Sequence, residues 1–303
     1  MAIRTRESRF RGEDAITLEA GELTATFLPS VGMTGVSLRF RGREFLALPG
    51  GVEGLRAGGT AGLPLLAPWA NRLASRRYRA AGVDVDLEGL PLPTDPNGLP
   101  IHGLLLGAPG WKVERADAGR RSARLRASID VDAAAFPFPH RIEVVVDARD
   151  GQLAVDTTVI PTGRRRVPVA FGWHPYLRLA GAQRRYWTLR LPSRRHVALD
   201  ELGVPTGDDT AEPAEAAPIG RRTFDDLYSL GRDRRLAFET GTGESVELRC
   251  DKAYPYAQVW VPAGRSFAAL EPMAAPTNAL GAGTAPLVAP GDSYSARFVL
   301  AVT

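Results

Sequence analysis

Two residues have the type and setting for proton-transfer chemistry. One is the histidine of "AFGWHPYLRL" (Ala170–Leu179); the other is the glutamate of "SFAALEPMAAPTNAL" (Ser266–Leu280). The chain has only four histidines, and His174 sits between a tryptophan and a proline. Read as a strand, Val167, Val169, Phe171 and Trp173 share one face, and Pro168, Ala170, Gly172 and His174 share the other. The first face suits a core. The second stays small until the imidazole, which leaves room above the sheet for a ligand; the plain alternative is a buried histidine satisfied by a backbone carbonyl. Glu271 ends an apolar strand on the face of Phe267 and Ala269, and the following Pro272 is expected to terminate pairing. A carboxylate there is costly to bury without a partner. Burial also raises its pKa toward the value a general base needs. The alternative is a structural pairing with an arginine.

Three further stretches supply polar groups. "APWANRL" (Ala67–Leu73) offers Asn71 and Arg72 beside Trp69, and "NGLPIHGLL" (Asn97–Leu105) offers His102 before Gly103. Glycine at 103 lets a ligand approach the backbone. "TFDDLY" (Thr223–Tyr228) offers Asp225 and Asp226. Taken singly, Arg72 reads equally as a surface ion pair, His102 as a loop hydrogen bond and the aspartates as a turn or helix cap. His140, His196 and Cys250 read as structural. A phosphate-binding glycine loop, a G-x-S-x-G elbow and the H-x-H or H-E-x-x-H metal spacings are missing from the sequence.

The elements that must carry these residues are strands. Two-residue apolar alternation marks Glu22–Pro29, Gly35–Gly42, Ser122–Val131, Arg141–Ala148, Gln152–Ile160, Tyr186–Pro192, Ser245–Cys250, Ala257–Pro262 and Tyr294–Val302. Asp150-Gly151 predicts a tight hairpin between two of them. The segments Leu63–Leu106 and Asp200–Arg222 resist strand assignment and are expected as long functional loops. With 32 glycines and 24 prolines punctuating short apolar runs, the pattern is that of one large all-β sandwich or barrel spanning residues 1–303.

Net charge is +4 with a pI near 9.5. Of the 38 basic residues only Lys112 and Lys252 are lysines, and the arginines are scattered among acids. Arg164–Arg166 and Ser193–Arg195 read as solvated turns, and no nucleic-acid partner is expected. The single cysteine excludes an internal disulfide and a zinc–cysteine cluster. The first ten residues carry charge without an apolar stretch, and no window reaches the roughly 20 apolar residues of a membrane helix. A cytoplasmic protein without a membrane partner is expected.

Taken in order, "NRL", "IHGLL", "GWHPYL", a D-x-x-[FY] element and "LEPMAAPTNAL" resemble the aldose 1-epimerase (mutarotase) family. The resemblance implies a large antiparallel β-sandwich of the galactose mutarotase-like supersandwich type, with a sugar cleft on one face. By similarity Glu271 is the general base and His174 the general acid. Arg72 and His102 bind sugar hydroxyls. Asp225 fits the substrate-binding aspartate through its spacing to Tyr228, with Asp226 the other option. Asn71 joins the binding set, and Trp69 is expected to stack on the sugar. The implied reaction interconverts the anomers of an aldohexose and needs no cofactor or metal; the expected state is a monomer or homodimer. A hexose-6-phosphate 1-epimerase and a non-catalytic carbohydrate-binding protein on the same fold are the competing readings. The chain departs from common family patterns at "APWANRL", "HGLL" and "HPYLRL", which bears on the identity of the sugar.

Overall fold

The computed structural model describes residues 3–303. Its strands pair antiparallel throughout. A five-stranded sheet follows chain order from Ile3–Phe10 to Arg43–Glu44. A nine-stranded sheet runs from Glu215–Pro218 at one edge to Lys112–Ala118 at the other, with Tyr294–Val302 and Gln152–Pro161 at its centre. An eight-stranded sheet orders Pro205–Glu212, Arg194–Leu199, Phe224–Leu230, Tyr256–Val261, Ala268–Met273, Gly172–Trp173 and Leu65–Leu66, with Tyr176–Leu177 also pairing Ala268–Met273. The described residues form one α-helix, Gly51–Arg56. None of their helices is long and apolar enough to cross a membrane.

Period-two alternation explains the layering. Phe136–Arg149 alternates buried and half-buried positions for most of its length, as does Tyr294–Val302. The buried faces meet in one cluster that draws Val259, Leu270 and Trp173 from the eight-stranded sheet and Val144, Val155 and Phe298 from the nine-stranded one. Trp173 meets Phe298 edge-on at 5.8 Å between ring centres and donates its indole N–H to Thr157 Oγ1 (3.0 Å). This is a sandwich of packed sheets whose inner faces interdigitate, and the all-β supersandwich expectation holds.

The strands expected from alternation are present within a few residues of their ends, and Asp150-Gly151 turns the hairpin between Phe136–Arg149 and Gln152–Pro161. Four expectations need correction. Val167–His174 is not one strand: Val167–Pro168 pairs with Leu287–Val288, whereas Gly172–Trp173 belongs to the eight-stranded sheet. Pro272 does not end pairing, because the register continues through Pro272↔Ala257 and Met273↔Tyr256. The segment Asp200–Arg222 contains the strands Pro205–Glu212 and Glu215–Pro218, and Leu63–Leu106 contains the hairpin Arg77–Ala80/Val83–Asp86; Pro205–Glu212 is mostly exposed and has no apolar signature, whereas the hairpin strands alternate, with Tyr78, Ala80 and Val85 buried, but are short. Arg194 is no solvated turn residue: it begins a strand, is buried, and pairs with Glu212 (2.7 Å) and Glu215 (3.3 Å).

Candidate active site

Strand parity brings the site together. In the eight-stranded sheet Asp225 lies opposite Trp260, Gln258 opposite Glu271, and Ala269 opposite Tyr176. Alternation therefore sets Asp225, Gln258, Trp260, Glu271 and Tyr176 on one face, while Val259 and Leu270 point into the core. His174 follows Gly172–Trp173 and is anchored by its backbone N–H to the Pro64 carbonyl (3.1 Å). Gly172 is what lets this short strand lie close: a Cβ there would stand 2.8 Å from the Pro272 carbonyl oxygen and 3.0 Å from Ala70 Cβ.

These side chains line a cleft of about 440 Å³, together with Asn71, Arg72, Asp95 and His102, a size suited to a small ligand. At its floor His174 Nε2 stands 3.3 Å from Glu271 Oε1, both side chains buried. Burial pushes the Glu271 carboxyl well above its ordinary value; Asp225 adds to the rise and Arg72 opposes it. Burial likewise pushes His174 well below the usual imidazole range, with His102 contributing. Both directions favour neutral forms, so the pair carries one proton between two groups in contact. His174 stacks on Tyr176 (4.5 Å between centres), whose hydroxyl meets Thr60 Oγ1 at 2.6 Å, and its edge meets Trp260 (5.4 Å). The imidazole is held in one plane.

The first long loop supplies the opposite wall through two strained residues. Asn71 and His102 both have positive φ (54° and 63°), uncommon for non-glycine residues and concentrated at functional sites. The Asn71 carbonyl accepts from the His102 N–H (2.9 Å), and Asn71 Oδ1 accepts from the Arg72 N–H (3.0 Å). Gly103 is required, because any Cβ there would collide with the Ala67 carbonyl. Asn278, from the "PTNAL" motif, ties this loop to the far end of the chain. Its N–H donates to the Arg72 carbonyl (3.0 Å) and its Oδ1 accepts from the Ala74 N–H (3.0 Å). His102 meets His174 edge-on at 5.7 Å; burial, then the charge of Arg72, lowers its pKa to about 3. It is a neutral imidazole, able to donate and accept.

The structure gathers Glu271, His174, Arg72, His102, Asn71 and Asp225 around one cleft. Of the two aspartates, Asp225 faces it and accepts from Gln258 Nε2 (2.7 Å), whereas Asp226 contacts His196 (3.5 Å) and Tyr228 (3.4 Å) and lines a neighbouring hollow. Trp69 is a correction. It is 1% exposed, bridges Ala170 and belongs to the core cluster; the small faces of its neighbours let the indole turn inward. Trp260 and Tyr176 are the aromatic residues that line the cleft. Sequence reasoning also missed Gln258 and Asp95. Gln258 interrupts the apolar strand "YAQVWV", and Asp95 opens the turn "DPNG"; each is a signal of position without a sign of purpose. His140 is structural, its Nδ1 2.7 Å from the Phe138 carbonyl oxygen. Among the described residues no group of three or more His, Cys, Asp or Glu side chains is arranged to hold a metal ion.

An antiparallel supersandwich with a buried His–Glu pair in a polar cleft defines the class as galactose mutarotase-like. The sequence matches the family model for aldose 1-epimerase over residues 14–301, and the chain belongs to that family. It is 27% identical over 277 residues to the uncharacterized protein YihR of Escherichia coli K12, covering 88% of this chain and 86% of that protein. Among solved structures, a galactose mutarotase-like protein from Clostridium acetobutylicum superposes with a TM-score of 0.89 at 18% identity, covering 99% of this chain and 98% of that one. The galactose 1-epimerase of Lactobacillus acidophilus gives 0.78 at 13% identity, covering 100% and 99%. Family membership gives the chain a general epimerase role on carbohydrates.

Proposed function

We propose that the chain interconverts the α and β anomers of a neutral aldohexose, with Glu271 as base and His174 as acid. The observation that carries this is the 3.3 Å approach of His174 Nε2 to Glu271 Oε1 on the floor of the cleft. The C1 hydroxyl and the ring oxygen of a pyranose are bonded to the same carbon, so a base for one and an acid for the other must stand side by side. The pair's one proton first passes from Glu271 to His174 across their 3.3 Å contact, leaving a carboxylate beside an imidazolium. Glu271 then takes the proton of the C1 hydroxyl, the O–H electron pair becomes the carbonyl π bond, and the C1–O5 pair leaves with the ring oxygen. His174 delivers a proton to that oxygen. Rotation about C1–C2 presents the other carbonyl face, and closure runs the same transfers backward. The pair holds one proton before and after each step, so no outside proton source is needed.

Arg72, His102, Asn71 and Asp225 surround the pair and supply donors and acceptors for the remaining hydroxyls, and Trp260 offers a face for the sugar's C–H surface. The charge balance supports a neutral sugar over a phosphorylated one. Among the described residues Arg72 is the only Lys or Arg lining the cleft and is already paired with Asp95, the His174–Glu271 pair with its one proton adds no net charge, and Asp225 adds a further acidic group.

Polarimetric mutarotation tests this reading. Glu271→Gln keeps the shape but cannot accept a proton and is expected to abolish turnover. His174→Asn is expected to cut turnover about 10²-fold or more while sugar binding survives better. Near-wild-type rates in Glu271→Gln would overturn the assignment.

A further inference from the structure

We infer that Asp95 is a positioning residue for Arg72, and that Asp95 and the Gly203 carbonyl together fix the guanidinium at the wall of the cleft. Asp95 comes from the first long loop and Gly203 from the second, so Arg72 is where these two loops meet. Arg72 Nε lies 3.1 Å from Asp95 Oδ2, and its Nη1 donates to the Gly203 carbonyl at 3.2 Å. Nη2 is left for a sugar hydroxyl.

Both supports are themselves held. Asp95 Oδ1 accepts from the N–H groups of Asn97 and Leu99 (2.9 Å each), and the Asp95 N–H donates to the Leu99 carbonyl (2.9 Å). The carboxylate is thus clamped at one oxygen, and its other oxygen faces Arg72 with the side chain only 1% exposed. That contact is ionic and off the line of a good hydrogen bond, so Asp95 Oδ2 steers the guanidinium by charge. Gly203 sits in a turn closed by Gly203 N–H to the Asp200 carbonyl and Asp200 N–H to the Val204 carbonyl (2.9 Å each). Asp200 Oδ1 accepts from Leu202 and Val204 N–H (2.9 Å each). Gly203 has φ +72°, and a methyl built there would collide with Arg72 Nη1. The glycine therefore serves the arginine as well as the turn. Supports of this kind hold a binding group within the narrow geometric tolerance of a site.

The functional half of the argument rests on the mutarotase reading; the structural half does not. Asp95→Asn is the discriminating variant, because the amide oxygen can still accept from Asn97 and Leu99 while the charge facing Arg72 is gone. We expect KM for the aldose to rise about tenfold, the scale of one weakened charged hydrogen bond, with kcat within about twofold. Asp95→Asn combined with Arg72→Ala should be no worse than Arg72→Ala alone, as for two residues acting through one contact. Gly203→Ala should give the same rise in KM. Additive losses in the double variant would show that Asp95 acts independently of Arg72 and would overturn the inference. A crystal structure of Asp95→Asn supplies a readout free of activity: the guanidinium is expected to leave its place, and an unmoved Arg72 would overturn the inference even if the wild type proved inactive on every aldose. That inactivity would sink the mutarotase reading alone.

Discussion

Gly172→Ala probes how the spacing of the proposed His174–Glu271 pair is set. Gly172 lies two residues before His174 and pairs with Met273, two residues after Glu271. A methyl at 172 would meet the Pro272 carbonyl oxygen at 2.8 Å, Ala70 Cβ at 3.0 Å and Met273 Cγ at 3.2 Å. Reaching the 3.4 Å of ordinary contact with Pro272 requires the two strands to part by about 0.6 Å. Overpacking of this kind costs about 1–3 kcal/mol of stability. The catalytic effect follows from position: the separated strands are those that present His174 and Glu271. Since a displacement of about 1 Å can cost on the order of 10²-fold in rate, a loss of about tenfold in kcat is expected, with KM little changed. The assay is polarimetric kcat and KM alongside a thermal melt. Gly241→Ala is the control, because nothing lies within 4 Å of its would-be Cβ, and it should leave both readouts unchanged. A Gly172→Ala protein with a lowered Tm and wild-type kcat would refute the claim that this glycine sets the His174–Glu271 spacing.

Two more outcomes are expected. The active pair carries one proton; it gains a second only when pH falls below the depressed His174 value and loses its only one when pH passes the elevated Glu271 value. The profile of kcat/KM should therefore cross the ordinary imidazole pKa of about 6.5 without a step; a limb centred there would show His174 titrating as an exposed group. Ionic strength should leave KM for free aldohexoses nearly constant, because a neutral sugar offers no charge to screen. A strong preference for a 6-phosphate sugar with a KM that climbs with salt would favour the phosphosugar reading.

The residues proposed as catalytic stood out in the sequence because their neighbours are unusual. His174 follows small residues on its own face, Ala170 and Gly172, and Glu271 stands as a carboxylate among the apolar residues of Ala268–Met273. The sheet was legible because most of its strands bury one face, so burial and sequence share the period of two. Legibility failed where that link broke. Pro205–Glu212 is mostly exposed, so its strand has no apolar signature. Trp69 was misread because its local surroundings, small residues beside Asn71 and Arg72, suit an open loop as well as a core. Only its 1% exposure and place in the core cluster show that the indole turns inward.

Gln258, Trp260 and Asp95 illustrate the deeper limit. Parity says that Gln258 and Trp260 share a face with each other; it does not say which face of the neighbouring strand they join. Shifting the register with Ala268–Met273 by one residue would set Gln258 opposite Leu270 or Pro272 and carry both side chains to the core side. Register is a long-range property, set here by packing Val259 and Leu270 into the shared core. The site is thus a consequence of the core. The apolar residues on the inner face fix the pairing, and the pairing delivers Asp225, Gln258, Trp260 and Glu271 to the outer face. Asp95 and Arg72 escape this logic because they come from a loop, where positive φ at Asn71 and His102 and the clasp of Asn278 replace the sheet as the positioning device.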